Sequence, residues 1–427
     1  MNQLYKQYLA AENYLNQGLI RTLVPDVPKK YIRREWMLRF LEDLGHPEKN
    51  YPCIHVAGTS GKGSTAVMIA EILQHAGYKT GLHITPYLQV ATEKLWFEGK
   101  YAAAEEFIDL IEWVKPICEK WRSPEVPLHG MTSFGLCLEY FRRKKVDIAV
   151  IEAGVGGRND LTNVLNTCLA VITPLGFDHI KTLGDTIESI AGHKAGIMKK
   201  NIPAVVFKGR GSDVILSTAR KIGAAVKWVE PEDTGFSRKL RMQGGFQNTN
   251  ARIAEKAALA LQELGYHINE ADISAGLAQA RIPGRLEKLQ GHPEVIIDGA
   301  HNYQKLKNLF SEFSGRRIIV IYGMLQSKIN DEVLSLLKSV NARFVFTKPE
   351  VYGKEAFDPP SIIDSFPPGE ASFFPSPSDA LQGAVKAGGP RAKIVVAGSL
   401  YLAGNIRESY FPAEDVLFSR TSWPNMF

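Results

Sequence analysis

Short, unbroken apolar runs recur along this chain. Cys53-Ile54-His55-Val56-Ala57, Ile148-Ala149-Val150-Ile151, Leu169-Ala170-Val171-Ile172 and Ala204-Val205-Val206-Phe207 have the pattern of strands buried on both faces. Between them apolar positions fall at helical spacing. Val67, Ile69, Ile72 and Leu73 suit one side of a helix that ends near Gly77, and residues 4–19 and 33–44 read as two helices parted by Pro25 and Pro28. Strands alternating with helices predict a largely parallel sheet. Across 281–293 the pattern changes, with turn signals at Pro283-Gly284 and Gly291-His292-Pro293. The strand-and-helix rhythm then restarts at Val295-Ile296-Ile297, 317–322, 343–346 and 393–397, with Pro359-Pro360 and Pro367-Pro368 marking loops. A chain of 427 residues exceeds one comfortable core. The expected division is therefore a larger α/β domain over 1–288 and a smaller, Rossmann-like α/β domain over 289–427.

Composition adds exclusions. At 45% hydrophobic and 22% charged, the chain has ordinary globular proportions. A net charge of +6 favours anionic substrates, but no basic run is dense enough to indicate nucleic acid. Lys29-Lys30 with Arg33-Arg34, and residues 142–145, read as solvated faces. The four cysteines, Cys53, Cys118, Cys137 and Cys168, form no C-x-x-C pair, which argues against a zinc site and a disulfide framework. There is neither a signal peptide nor an apolar stretch of about 18 residues, so the expected setting is the cytoplasm, with no membrane partner.

Candidate chemistry begins at Gly58-Thr59-Ser60-Gly61-Lys62-Gly63-Ser64, between the first apolar run and the first helix after it. Glycines in such a turn let backbone N–H groups approach phosphate oxygens, and the helix N-terminus adds a favourable dipole. Lys62 would reach the β- and γ-phosphates, and Ser64 would bind magnesium or a phosphate. The strict G-x-x-x-x-G-K-[ST] pattern is broken, because Val56 replaces its first glycine and Gly63 separates Lys62 from Ser64. Strand, loop and helix in this order nevertheless lead us to expect a P-loop ATPase domain, the alternative being a structural Gly/Ser turn before a helix. Glu152 ends a buried apolar strand, where an unpaired carboxylate is costly. Magnesium, Arg158 or backbone donors are the alternatives for it.

The loop resembles that of folylpolyglutamate synthases and dihydrofolate synthases, within the Mur-ligase group. The likeness extends through Thr85-Pro86-Tyr87-Leu88, Glu93-Lys94 with Gly99, and Glu152-Ala153-Gly154-Val155-Gly156-Gly157-Arg158 with Asp160-Leu161-Thr162-Asn163. It continues through Gly176-Phe177-Asp178-His179, Leu183-Gly184-Asp185-Thr186, Lys194-Ala195-Gly196-Ile197, Pro283-Gly284-Arg285-Leu286-Glu287, Asp298-Gly299-Ala300-His301-Asn302 and Gly398-Ser399-Leu400-Tyr401. These segments follow one another in family order over nearly the whole chain.

The resemblance implies ATP and two magnesium sites, with Ser64, Thr85, Glu152, His179 and Lys194 as candidate metal residues and Lys194 carbamylated. It also implies nucleotide contacts from Asn250, Arg285, Asp298 and His301 besides the loop, and catalytic roles for Lys62, Glu152, His179 and Lys194. Read alone, His179 would be a hydrogen-bonded structural histidine, Lys194 a solvated helix lysine, and Gln247 and Asn250 helix N-terminal caps. The implied reaction activates a folate or dihydropteroate carboxylate as an acyl phosphate, which the L-glutamate amine then attacks. The expected protein is a monomer. Ser60, Tyr87, Gly135, Phe246 and His193 stand where the family usually has Asn, His, Glu, His and Glu. Two other readings remain: a related Mur-type ligase with another carboxylate acceptor, and a non-catalytic nucleotide-binding switch. Lys62, Glu152, His179 and Lys194 together argue against the switch, and with only about 50 residues before the loop no UDP-precursor domain is expected there, which counts against an ordinary Mur ligase.

Overall fold

Buried apolar runs become the centre of each sheet in the computed structural model, which describes residues 2–18, 32–121, 129–231, 237–289, 291–351 and 354–424. The break at Pro25 and Pro28 and the pair Lys29-Lys30 lie outside the described residues. Two compact units are present. The first comprises 1–87, 91–241 and 247–281, and the second comprises Leu88–Val90, Met242–Phe246 and Ile282–Phe427.

The first unit holds β1 (Cys53–Ala57), β2 (Thr80–His83), β3 (Trp96–Phe97), β4 (Lys100–Tyr101), β5 (Ile148–Glu152), β6 (Thr167–Ile172), β7 (Ala204–Phe207) and β8 (Val226–Val229). Their order is β4-β3-β2-β5-β1-β6-β7-β8. Only β3 and β4 run antiparallel to their neighbours. Every residue of β1 and β5 is buried, which explains why those runs are continuous rather than alternating. The helix Lys62–His75 crosses from β1 to β2, burying Val67, Ile69, Ile72 and Leu73 as the spacing predicted. On the other side of β1, an apolar cluster joins Ala57, Ala170, Ile172, Ala191, Ala195, Ala204 and Val206.

The second unit holds β9 (Glu287–Leu289), β10 (Glu294–Ile297), β11 (Ile318–Tyr322), β12 (Ala342–Phe346), β13 (Ala371–Phe373) and β14 (Lys393–Ala397), ordered β13-β12-β11-β14-β10-β9. β9 alone is antiparallel. Its pairing with β10 keeps β9 in this unit, whose main segment starts at Ile282, so the 288/289 division read from the sequence falls within β9. Phe344, Phe346, Tyr322, Leu306 and Val395 lie at its core. Among the described residues no helix is long and apolar enough to cross a membrane.

Candidate functional site

Parallel register brings the predicted residues of the first unit to one edge of its sheet. Val56 of β1 lies beside Glu152 of β5, and Ala57 lies beside Ile172 of β6. The loop after β1, the carboxylate ending β5 and the segment after β6 therefore emerge together at the carboxyl ends of adjacent strands, where open α/β sheets bind ligands.

Gly58 and Gly61 meet steric demands that other residues do not. Gly58 has φ 148° and a Cβ there would overlap Thr173 Oγ1; Gly61 has φ 84° and a Cβ there would overlap Asn250 Oδ1. Gly61 then caps the helix that starts at Lys62. The loop is tied down by Thr59 N–H donating to Pro174 O at 3.0 Å, and by Thr59 Oγ1, which donates to Gly176 O at 3.0 Å and accepts from Gly176 N–H at 3.1 Å. These bonds couple the loop to Gly176-Phe177-Asp178-His179. Ser60 N–H also donates to Pro174 O, at 3.3 Å.

Lys62 and Glu152 form an ion pair, Nζ to Oε1 3.7 Å, and Glu152 Oε2 accepts from Thr85 N–H at 3.1 Å. Of the alternatives for Glu152, the backbone donor is realised. Arg158 instead donates to Gly192 O at 2.9 Å. Lys194 is buried rather than solvated, and its Nζ donates to Gly58 O at 2.7 Å. His179 has φ 52° and precedes the short helix Ile180–Leu183, with Nε2 3.8 Å from Asp178 Oδ1.

Gln247 and Asn250 lie inside the helix Phe246–Glu263, not at its cap. Asn250 Nδ2 donates to Gln247 Oε1 at 2.8 Å, and Gln247 Nε2 reaches Ser64 Oγ at 3.5 Å. The capping alternative is thus replaced by a polar link back to the phosphate loop.

Beneath the loop lies a network whose linkage the sequence did not disclose. Thr162 Oγ1 donates to Asp160 Oδ1 at 2.6 Å and lies 2.8 Å from Nε2 of the fully buried His55. Because that hydroxyl proton goes to Asp160, Nε2 carries the imidazole proton and donates to Oγ1. Asp160 Oδ2 in turn accepts from Val155 N–H at 2.8 Å, holding the glycine-rich segment after Glu152. Burial pushes the His55 pKa down to about 4 against the pull of Asp160.

The family departures have local partners. The Tyr87 ring receives Lys94 Nζ at 5.1 Å, and its hydroxyl accepts from Asn16 Nδ2 at 3.5 Å. Lys94 also donates to Ser133 Oγ at 3.1 Å. A Cβ on Gly135 would stand 2.7 Å from Leu44 Cδ1 and 2.9 Å from Phe40 Cε1. His193 O accepts Arg158 N–H at 2.7 Å, and Phe246 packs on the second unit's core.

Arg285, Asp298 and His301 form a separate cluster in the second unit. Asp298 accepts from Leu286 N–H at 2.9 Å and Ala300 N–H at 2.8 Å. Burial raises its pKa, opposed by Arg285 and those two donors. His301 Nδ1 bonds Gly299 O at 2.8 Å, which leaves Nε2 facing Lys305 Nζ at 3.3 Å.

Among the described residues no three His, Cys, Asp or Glu side chains gather as a metal cage. That fits magnesium, which is held by one or two protein oxygens and otherwise by water and phosphate. The buried carboxylate of Glu152 beside the phosphate loop is such a donor.

Family models match over residues 56–226, as a Mur ligase middle domain, and over 284–400, as a Mur ligase glutamate ligase domain. The dihydrofolate synthase/folylpolyglutamate synthase of Bacillus subtilis (strain 168) is 32% identical over 408 residues, covering 87% of this chain and 93% of that protein. Mycobacterium tuberculosis folylpolyglutamate synthase complexed with ADP superposes with a TM-score of 0.84 at 26% identity, covering 96% of this chain and 99% of the other. Escherichia coli FolC in complex with DHPP and ADP gives 0.78 at 25% identity over 96% and 99%.

Proposed function

The chain belongs to the dihydrofolate synthase/folylpolyglutamate synthase family of Mur ligases, and from that premise we propose that it joins L-glutamate to a folate or dihydropteroate carboxylate using ATP. The observation that carries this reading is the pairing of Val56 with Glu152, which sets a buried carboxylate and Lys62 at the mouth of a glycine-rich phosphate loop.

A carboxylate resists attack by an amine until an oxygen is converted to a leaving group. Backbone N–H groups of Gly58, Gly61 and Gly63 cradle the phosphates, Thr59 and Ser60 shape the loop through their N–H bonds to Pro174 O, and Lys62 moves its charge onto the β- and γ-phosphates. Glu152, Thr85 and Ser64 would supply hard oxygens for one magnesium ion, and His179, together with Lys194 as a carbamate, would hold a second. Magnesium bound there would neutralise charge on the transferring phosphoryl group. Asn250 holds the loop through Gln247 and contacts the nucleotide. In the second unit Arg285 offers a guanidinium fork to phosphate, with Asp298 and His301 as further nucleotide contacts. The acceptor carboxylate attacks the γ-phosphorus and ADP leaves, giving an acyl phosphate. The glutamate α-amine then attacks the carbonyl, and phosphate leaves as the amide forms. The protein acts chiefly by positioning and charge neutralisation. With these small molecules as substrates, the working form is a cytoplasmic monomer.

The test measures ADP release with L-glutamate and each of dihydropteroate, tetrahydrofolate and a cell-wall precursor. Turnover with a pterin acid is expected. Turnover with the cell-wall precursor alone would overturn the folate reading.

A further inference from the structure

Arg407 is the largest fully buried side chain among the described residues, and the proposed mechanism does not use it. It lies on the helix Leu400–Arg407 in the second unit. Its Nε is 3.1 Å from both carboxylate oxygens of Glu287, and its Nη2 donates to Glu287 Oε1 at 3.0 Å. The same guanidinium donates to Gln89 Oε1 and to Ser422 O, and it stacks over the Phe411 ring at 4.5 Å. Trp423 Nε1–H adds another donor to Glu287 Oε1, at 3.0 Å.

A buried arginine that bonds one carboxylate this fully concerns whatever that carboxylate does next. Glu287 Oε2 accepts the N–H of Gly284 at 2.9 Å. Leu286 N–H goes to Asp298, and Gly284 O accepts both Gly299 N–H at 2.9 Å and Arg285 Nη1 at 3.0 Å. The turn so held is unusual. Gly284 has φ 68° and Leu286, which is not glycine, has φ 45°. A residue such as Leu286 keeps that backbone only where its surroundings over-determine it. The turn lays the Arg285 guanidinium across Gly299, where a Cβ would overlap Nη1.

We propose that Arg407, through Glu287, is a positioning residue for Arg285, and that the C-terminal segment at Ser422-Trp423 belongs to this support. The proposal rests on the reading of Arg285 as a nucleotide contact. Arg407 balances the charge of Glu287 and keeps its carboxylate aimed at the Gly284 N–H. Without it a buried charge is left half-satisfied, and the turn relaxes toward ordinary backbone angles.

The experiment measures ADP affinity by calorimetry, with KM for ATP and kcat, for Arg407→Met, Arg285→Ala and their double variant. Arg407→Met should weaken ADP about tenfold and raise KM for ATP similarly while kcat changes little, as expected for losing charge-assisted bonds to a binding element. The double variant should bind no more weakly than Arg285→Ala alone, because both changes remove the same fork. Additive losses would overturn the positioning role and leave Arg285 as a nucleotide contact. Unchanged affinity in Arg285→Ala would overturn that reading, and the proposal with it. Should Arg407→Met fail to fold, Trp423→Phe keeps an aromatic ring at that position and removes the indole N–H, at the cost of a smaller ring. A roughly threefold weaker ADP affinity, again absent in the Arg285→Ala background, supports the proposal, and unchanged affinity overturns it.

Discussion

Lys62 Nζ stands 3.7 Å from Glu152 Oε1, joining the phosphate loop to the carboxylate that ends the neighbouring strand. Both side chains are largely buried, at 17% and 8% exposure, so each compensates the other's charge. In the proposed mechanism Lys62 turns to the phosphates when nucleotide binds. Lys62→Ala should lower kcat by at least about 100-fold, the usual effect of removing one preorganised charge donor. Far-UV circular dichroism should stay unchanged. Activity within a few-fold of the parent protein would contradict the assigned role.

Gly61→Ala should weaken nucleotide binding for two separable reasons. Its Cβ would overlap Asn250 Oδ1, and its φ of 84° costs a non-glycine residue about 1–2 kcal/mol. Adding Asn250→Gly removes the overlap but not the backbone strain. The double variant should therefore recover part of the thermal stability lost in Gly61→Ala. No recovery would show that the Asn250 contact is not what limits the loop.

Gly135 occupies a place where the family commonly has Glu, and Phe40 and Leu44 explain the change. Gly135→Glu would drive a carboxylate into a site already closed by two apolar side chains. A loss of more than about 3 kcal/mol in urea unfolding is expected. A variant of parental stability would show that the segment carrying Phe40 and Leu44 moves aside.

Stability should fall with acid well before most carboxylates titrate. Burial holds both His55 and His83 near pKa 4, against about 6.5 when unfolded. For His55 Asp160 opposes the shift and Lys199 assists it, whereas for His83 Lys94 assists it and the Lys94 carbonyl bond opposes it. The unfolded chain binds more protons below pH 6.5, so each histidine contributes stability in full above that pH and loses it as pH falls to 4. The slope is about 1.4 kcal/mol per pH unit for each histidine. Urea titrations from pH 7 to 4 should show it, and His55→Asn should cut the slope to about half, the His83 share, if the variant folds. A flat stability curve across this window would exclude the two buried neutral histidines.

The sequence by itself determined the central strands and the phosphate loop. β1, β5, β6 and β7 are buried on both faces, so their apolar runs carry no solvent-facing interruption. Gly58 and Gly61 declared themselves because their backbone angles and close neighbours exclude a Cβ. Family order adds Glu152, His179 and Lys194 as proposed site residues. The short β3, β4, β9 and β13 were not legible, since two or three residues show no periodicity. Partners were decided only by tertiary structure. Lys194 reads as a solvated helix lysine until the packed helix turns its ammonium onto Gly58 O. Glu287 looks like part of a motif, and nothing in the chain pairs it with Arg407 across 120 positions. The physical reason is the same in both cases. Periodicity reports which face of an element is buried, whereas a partner depends on strand order and register, which distant segments settle together.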